Sequence, residues 1–348
     1  MKILELGLRG VDPNVALCYW DSTLDHDLPN PADSVLWTPQ LLGNGQGYVT
    51  TGPFANWPTP SVIPEVNRNR LYRTVGTAAG ADALYNRQDI ERFMQIPTFE
   101  KLAVYCQDPT FEILHGGGHD FVGGHMTYLA TSPNDPVFFL HHTFIDYVWE
   151  MWRQKHQNLH QRETEYPPDG PRSCGVLYQS DSQMKPFDMK NKDGLGNNYH
   201  SLYTYAPSPT CGNGLCSGDY LFCNTNTGFC SAKVRPGGDC TNLEQFDSCF
   251  NSACVNGRCT QSDVLSVKDQ RPNAVEADDT ISLAVAPAVS DDPVATAASI
   301  ALGVVTSETA TEQSKEQDTD QRQQPDTLFA TENTDSSKDV ITVTESLS

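Results

Sequence analysis

Seven of the nine histidines of this 348-residue chain fall between residues 115 and 160. His115 and His119 stand four positions apart in FEILHGGGHDFV. On a helix both imidazoles then point to one side, one turn apart, where they can share an ion. His142 lies in FFLHHTFIDYVW with Asp146 four residues on, and a carboxylate one turn from an imidazole is the arrangement that fixes a ligand's tautomer. Three neutral imidazoles suit copper, zinc or iron. A purely structural reading stands beside this one. Three glycines inside a helix cost about 1 kcal/mol each relative to alanine, so HGGGH could be a turn with solvated histidines, and His142 a core histidine satisfied by Asp146. Spacing alone leaves both open. Two other motifs are excluded: no Glu follows His115 to make the HExxH of a zinc hydrolase, and no GxSxG elbow accompanies the HGGG string.

The elements that must position these residues are helical. The strongest helix signal runs over 134–157, with Asp135 as N-cap, Pro136 at the first helical position, and Arg153 and Lys155 near the C-terminal end. Phe138, His142, Ile145, Trp149 and Trp152 follow at alternating spacings of four and three and share one face. Phe144 and Val148 lie beside His141 on another, so this helix is buried in a bundle. Helical signals also cover 83–95 and 110–122, whereas 11–65 is broken by Pro and Gly into irregular chain.

Composition divides the chain into three. Residues 1–210 contain all the histidines, 211–260 are rich in cysteine, and 261–348 are polar and acidic. Of the net charge of -21, residues 261–348 carry -12, from 17 acidic and 5 basic residues. Without a basic stripe the chain is excluded as a nucleic-acid binder, and without about 18 consecutive apolar residues it has no membrane span. Eight cysteines from Cys211 to Cys259, with no CxxC pair, predict a disulfide-stapled module of a secreted, extracellular protein, its pairing open. The opening MKILELGLRGVDPN carries Glu5 and Arg9 where a signal peptide needs an apolar run, so the chain is expected to begin inside a longer protein. The tail is too polar to offset its ordering entropy and is expected to be disordered, with calcium as a loose partner of its carboxylates.

The string from Phe111 to Trp152, with HxxxH, GGHM and SPNDPVFFLHHTFIDYVW, resembles the second copper-binding half of the tyrosinase, catechol oxidase and molluscan haemocyanin family. CYWDST at 18–23 is similar to the family's PYWDST, with Cys18 in place of Pro, and Tyr203-Thr204-Tyr205 resembles its closing tyrosine motif. The cysteine-rich block looks like the extension of secreted molluscan tyrosinases. The resemblance covers residues 1–260 and leaves only the tail outside.

By this resemblance His115, His119 and His142 are the ligands of the second copper, His141 is a non-ligand neighbour, and Asp146 is the carboxylate that orients the site. His125 is a structural or surface residue near the pocket. Glu112 matches an acid that holds a water near the metal pair. Gly116 stands where many tyrosinases carry an Asn that helps deprotonate a phenol, which favours a catechol-type oxidase over a monophenol hydroxylase. The family oxidises small phenols and catechols to o-quinones with O2, using two coppers on six imidazoles. Its first copper site precedes YWDST, whereas His26, which follows that segment, is the only histidine among the first 114 residues. The implied fold is mainly α: one helix pair of a four-helix type 3 copper core, with irregular loops, a disulfide module and a disordered tail. The implied protein is an N-terminally truncated oxidase with one copper site, its apolar helix face in need of cover. A non-catalytic, single-metal secreted matrix protein and a haemocyanin-like oxygen binder are the alternatives.

Overall fold

A computed structural model describes residues 1–261, except 61–62, 64–67, 78–83, 104–107, 168–175, 186, 214–215 and 217, and the backbone of 288–289. Cys106, Cys174 and nearly all of the tail, with its expected disorder and calcium, lie outside the described residues.

The described chain is mainly helical. Its α-helices are α1 (Lys2–Arg9), α2 (Thr23–His26), α3 (Arg87–Phe93), α4 (Phe99–Ala103), α5 (Thr110–Val122), α6 (Val137–His156), α7 (Leu159–Thr164) and α8 (Asn197–His200). Short 3₁₀ turns fill the Pro- and Gly-rich stretches. Strands come only in two-stranded antiparallel pairs: β1 (Gln46–Tyr48) with β2 (Tyr72–Thr74), β3 (Thr204–Tyr205) with β8 (Ala288–Val289), β4 (Leu221–Asn224) with β5 (Phe229–Ala232), and β6 (Ala253–Val255) with β7 (Arg258–Thr260). β8 places one short paired strand within the polar tail segment. No helix among the described residues is long and apolar enough to cross a membrane.

The expected helix at 83–95 is shorter, Arg87–Phe93, because Asn86 and Asp89 form a capping box at its start. The helix expected over 110–122 appears as α5, so HGGGH is helical and not a turn. It ends where Gly123 and Gly124 take φ of 65° and 57°. A Cβ there would lie 2.1 Å from Thr74 Oγ1 and 2.1 Å from the Tyr72 carbonyl, respectively. Only glycine can bring the end of α5 this close to β2.

Helix α6 begins at Val137, whose N–H donates to Asp135 Oδ1 at 3.0 Å. Both Asp135 oxygens also accept from Arg73 of β2, from Nε and Nη2, each at 2.7 Å, and neither side chain is exposed. Arg73 Nη1 donates to the Leu42 carbonyl at 2.7 Å, completing its partners in an interior that would otherwise expel a charge. The buried stripe of α6 is Val137, His141, Phe144, Val148 and Trp152, the second of the two expected faces joined by Trp152 of the first. Phe138, His142, Ile145 and Trp149 are half-buried. Periodicity could not separate these adjacent stripes, because both are apolar.

Two aromatic cores flank α6. Tyr19 stacks on Phe144 and Tyr147 in one, while Trp20 packs with Trp37 and Phe121 in the other, so the YW pair straddles the helix. The Trp20 backbone N–H donates to the Leu140 carbonyl at 3.0 Å. The cysteine-rich block is stapled by Cys211–Cys223, Cys216–Cys230, Cys240–Cys254 and Cys249–Cys259. Its core includes Leu221, Phe222 and Val234, and it buries Leu24 and Leu28 of the α2 segment against the disulfides.

Removing one member of the Arg73–Asp135 pair strands a buried charge. Arg73→Met is expected to lower unfolding free energy by about 3–5 kcal/mol in denaturant melts, with much of the loss recovered in Arg73→Met/Asp135→Leu. A single-variant loss below about 1 kcal/mol would show that the pair does not anchor α6.

Candidate metal centre

Helix α5 presents His115 and His119 one turn apart, and α6 presents His142 opposite them. Their Nε2 atoms form a triangle with sides of 3.2 Å (His115–His119), 3.0 Å (His119–His142) and 3.4 Å (His115–His142). Ligands at about 2.0 Å from a tetrahedral ion stand about 3.3 Å apart, so the donor set fits a borderline metal ion. Three imidazole nitrogens converging without an anion among them form a set of lone pairs that a cation can unite.

The outward nitrogens differ in their partners. His119 Nδ1 lies 2.8 Å from Ser132 Oγ and 3.1 Å from the Met126 carbonyl. A proton on Nδ1 satisfies the carbonyl and leaves the Nε2 lone pair facing the triangle. His115 Nδ1 lies 3.4 Å from a Glu112 carboxylate oxygen. That hydrogen-bonded imidazole holds the Glu112 carboxyl below its ordinary range, although burial acts the other way. The His142 ring stacks on Phe138 with centroids 4.1 Å apart. Burial, followed by the neighbouring His115 and His119, pushes the His142 imidazole down to about 3, and burial likewise lowers His119.

Asp146, expected to orient His142, accepts from the Tyr205 hydroxyl. Burial raises the Asp146 carboxyl and the Tyr205 phenol, and the Tyr205 bond offsets part of the Asp146 shift. Gly116 faces open space: a Cβ there would meet nothing within 4 Å. Sequence reasoning missed Ser132 and the Met126 carbonyl, although Ser132 opens the SPNDP segment and Met126 ends GGHM.

No other histidine joins the triad. His141 Nε2 is turned to the His115 carbonyl at 3.0 Å. His125 is buried, with Nδ1 accepting from the Tyr72 N–H and Nε2 on Thr59 Oγ1. His26 pairs with Asp27, His156 with the Met94 carbonyl and His200 with Glu150, while His160 is exposed. The clustered sulfurs of Cys211, Cys216 and Cys223 and of Cys240, Cys249 and Cys254 are all in disulfides, so they offer no thiolate to a metal.

The common central domain of tyrosinase matches residues 1–155. The chain is similar to a tyrosinase-like protein of Caenorhabditis elegans, 36% identical over 269 residues, or 74% of this chain and 38% of that protein. With tyrosinase-like protein 1 of Margaritifera margaritifera it shares 33% identity over 241 residues, 65% of this chain and 46% of the relative. With a tyrosinase of Streptomyces lincolnensis it shares 33% over 217 residues, 58% of this chain and 74% of the relative. The chain thus spans less than half the length of the first two relatives.

His119 and His142 are held neutral in the fold, and their ordinary value is 6.5. Below that value the unfolded chain takes up protons that the folded chain refuses. Metal-free stability is therefore full above about 6.5 and declines as pH falls toward the folded values, by up to about 1.4 kcal/mol per pH unit for each proton. Denaturant melts between about pH 7.5 and 5, above the carboxylate range, are expected to show this slope, and His142→Phe to flatten it. An equal slope in that variant would show that His142 does not titrate on unfolding.

Proposed function

The chain belongs to the tyrosinase family, and on that premise we propose that His115, His119 and His142 hold one copper ion for the oxidation of small phenols by O2. The observation that carries this reading is the Nε2 triangle with sides of 3.0–3.4 Å, flanked by Glu112, Ser132 and the Met126 carbonyl on the outer nitrogens. Copper bound there supplies a one-electron couple, and a catechol gives up two electrons on becoming an o-quinone, so turnover calls for a second copper held by histidines outside this triad. In this reading α5 and α6 are one helix pair of a four-helix copper core, and exposed Ile3, Leu6 and Ile113 belong to apolar surface that further protein covers.

The chain's own groups then have assigned tasks. Met126 and Ser132 fix the His119 tautomer, Phe138 sets the plane of His142, and Asp146 ties α6 to β3 through Tyr205. The Glu112 carboxylate, exposed and deprotonated, accepts a proton from a bound water or a substrate hydroxyl beside His115. Gly116 brings no amide to assist it, which favours catechols over monophenols. Four disulfides among the described residues support a secreted protein, in which residues 211–260 form a stapled module.

Copper analysis and a catechol oxidation assay on the purified chain test this directly. One copper per chain, lost in His142→Ala, with no catechol turnover by the chain alone, is the expected result. Unchanged copper in His142→Ala sinks the triad assignment, and two coppers with turnover sink the single-site reading.

A further inference from the structure

His141 is the residue between the two ligand helices that the copper reading leaves without a task. It is fully buried. Its Nε2–H donates to the backbone carbonyl of His115 at 3.0 Å, and its Nδ1 has no partner. The ring lies flat over His115, with centroids 5.4 Å apart and planes 7° from parallel, and stands edge-on to His119 at 5.0 Å. On the other side Trp20 backs it at 6.0 Å. Space for the ring comes from a missing side chain: a Cβ on Gly118 would come within 2.4 Å of His141 Cε1 and 3.0 Å of each ring nitrogen. This is why a helix that holds two ligands tolerates glycine between them.

We infer that His141 is a positioning residue, a strut that ties the α5 backbone at His115 to α6 beside His142 and so sets the spacing of the ligand nitrogens. A phenyl ring would fill the same volume without burying an unpartnered nitrogen, which costs roughly 1–3 kcal/mol. The polar ring is therefore explained by the one bond it makes. That bond ends on the carbonyl of one ligand residue and starts on the chain neighbour of another. Any rotation of α6 that moves His142 also moves His141, and the His115 carbonyl resists it. The affinity arm of the test rests on the copper reading, and the structural arm does not.

The full-length chain, labelled with 15N-histidine, decides the structural arm without metal. The His141 ring is expected as the Nε2–H tautomer, and His141→Phe is expected to shift and broaden the His115 ring signals while circular dichroism stays native. In a copper competition titration, His141→Phe and Gly118→Ala each weaken binding about tenfold to a hundredfold, while His141→Gln, which keeps a donor, stays within about threefold of the wild type. Gly118→Ala adds nothing further in a His141→Ala background, because its cost is the clash with the ring. Unchanged His115 signals in His141→Phe overturn the inference whether or not copper binds. So does wild-type affinity in both His141→Phe and Gly118→Ala. If His141→Phe does not fold, equal affinities for His141→Gln and Gly118→Ala overturn it. A wild-type chain that binds no copper instead defeats the metal reading and leaves the nitrogen signals to judge the strut.

Discussion

Arg73 is a cation in the protein interior, held by two oxygens of Asp135 at 2.7 Å each and by the Leu42 carbonyl. Such a charge stays buried only when its hydrogen bonds are complete, so the pair tolerates little displacement. Asp135 lies just before α6, and Arg73 is the middle residue of β2. The same three-residue strand receives the end of α5, where Gly123 and Gly124 press onto Thr74 and Tyr72. One strand thus fixes the C-terminal end of α5 and the N-terminal end of α6. The loop between the helices is pinned there too, since His125 accepts from the Tyr72 N–H. His119 and His142 lie close to these anchored ends, where helices are held best.

The electrostatics of the centre follow from burial. Three basic nitrogens within 3.4 Å of one another disfavour protons, and each added positive charge would be felt by the other two. Burial lowers the His119 and His142 imidazoles in the same direction, which favours their neutral form. Their outer nitrogens have unlike neighbours: a carbonyl and a hydroxyl for His119, a carboxylate for His115, and an aromatic face for His142. His115 is thus the imidazole beside an anion, and it holds the Glu112 carboxyl below its ordinary range.

The cysteine-rich block is more than an appended knot. The Val35 N–H donates to the Lys233 carbonyl at 2.7 Å, and Arg235 pairs with Asp33. Arg87 at the start of α3 donates to the Cys230 carbonyl at 2.9 Å. The disulfides thereby stiffen the loops that carry the YWDST segment, whose Tyr19 and Trp20 press on α6. Cys18 beside them is a free thiol that burial, with Glu5 nearby, pushes up to about 12, so it packs as a small apolar residue.

Much of this was legible in residues alone. HxxxH and HH-x₃-D spacings identify imidazoles on helix faces, Pro136 after Asp135 marks where α6 starts, and cysteine density implies staples, because each depends on interactions a few residues apart. What the sequence could not supply came from chain brought in from far away. Arg73 reaches Asp135 across 62 positions, and Tyr205 takes Asp146 across 59. Of two equally apolar stripes on α6, tertiary packing buried the one with His141 and left His142 half-open to its partners. Local periodicity carries no information about which face the rest of the chain will cover, and that choice decides which histidine faces the triad and which is buried beside it.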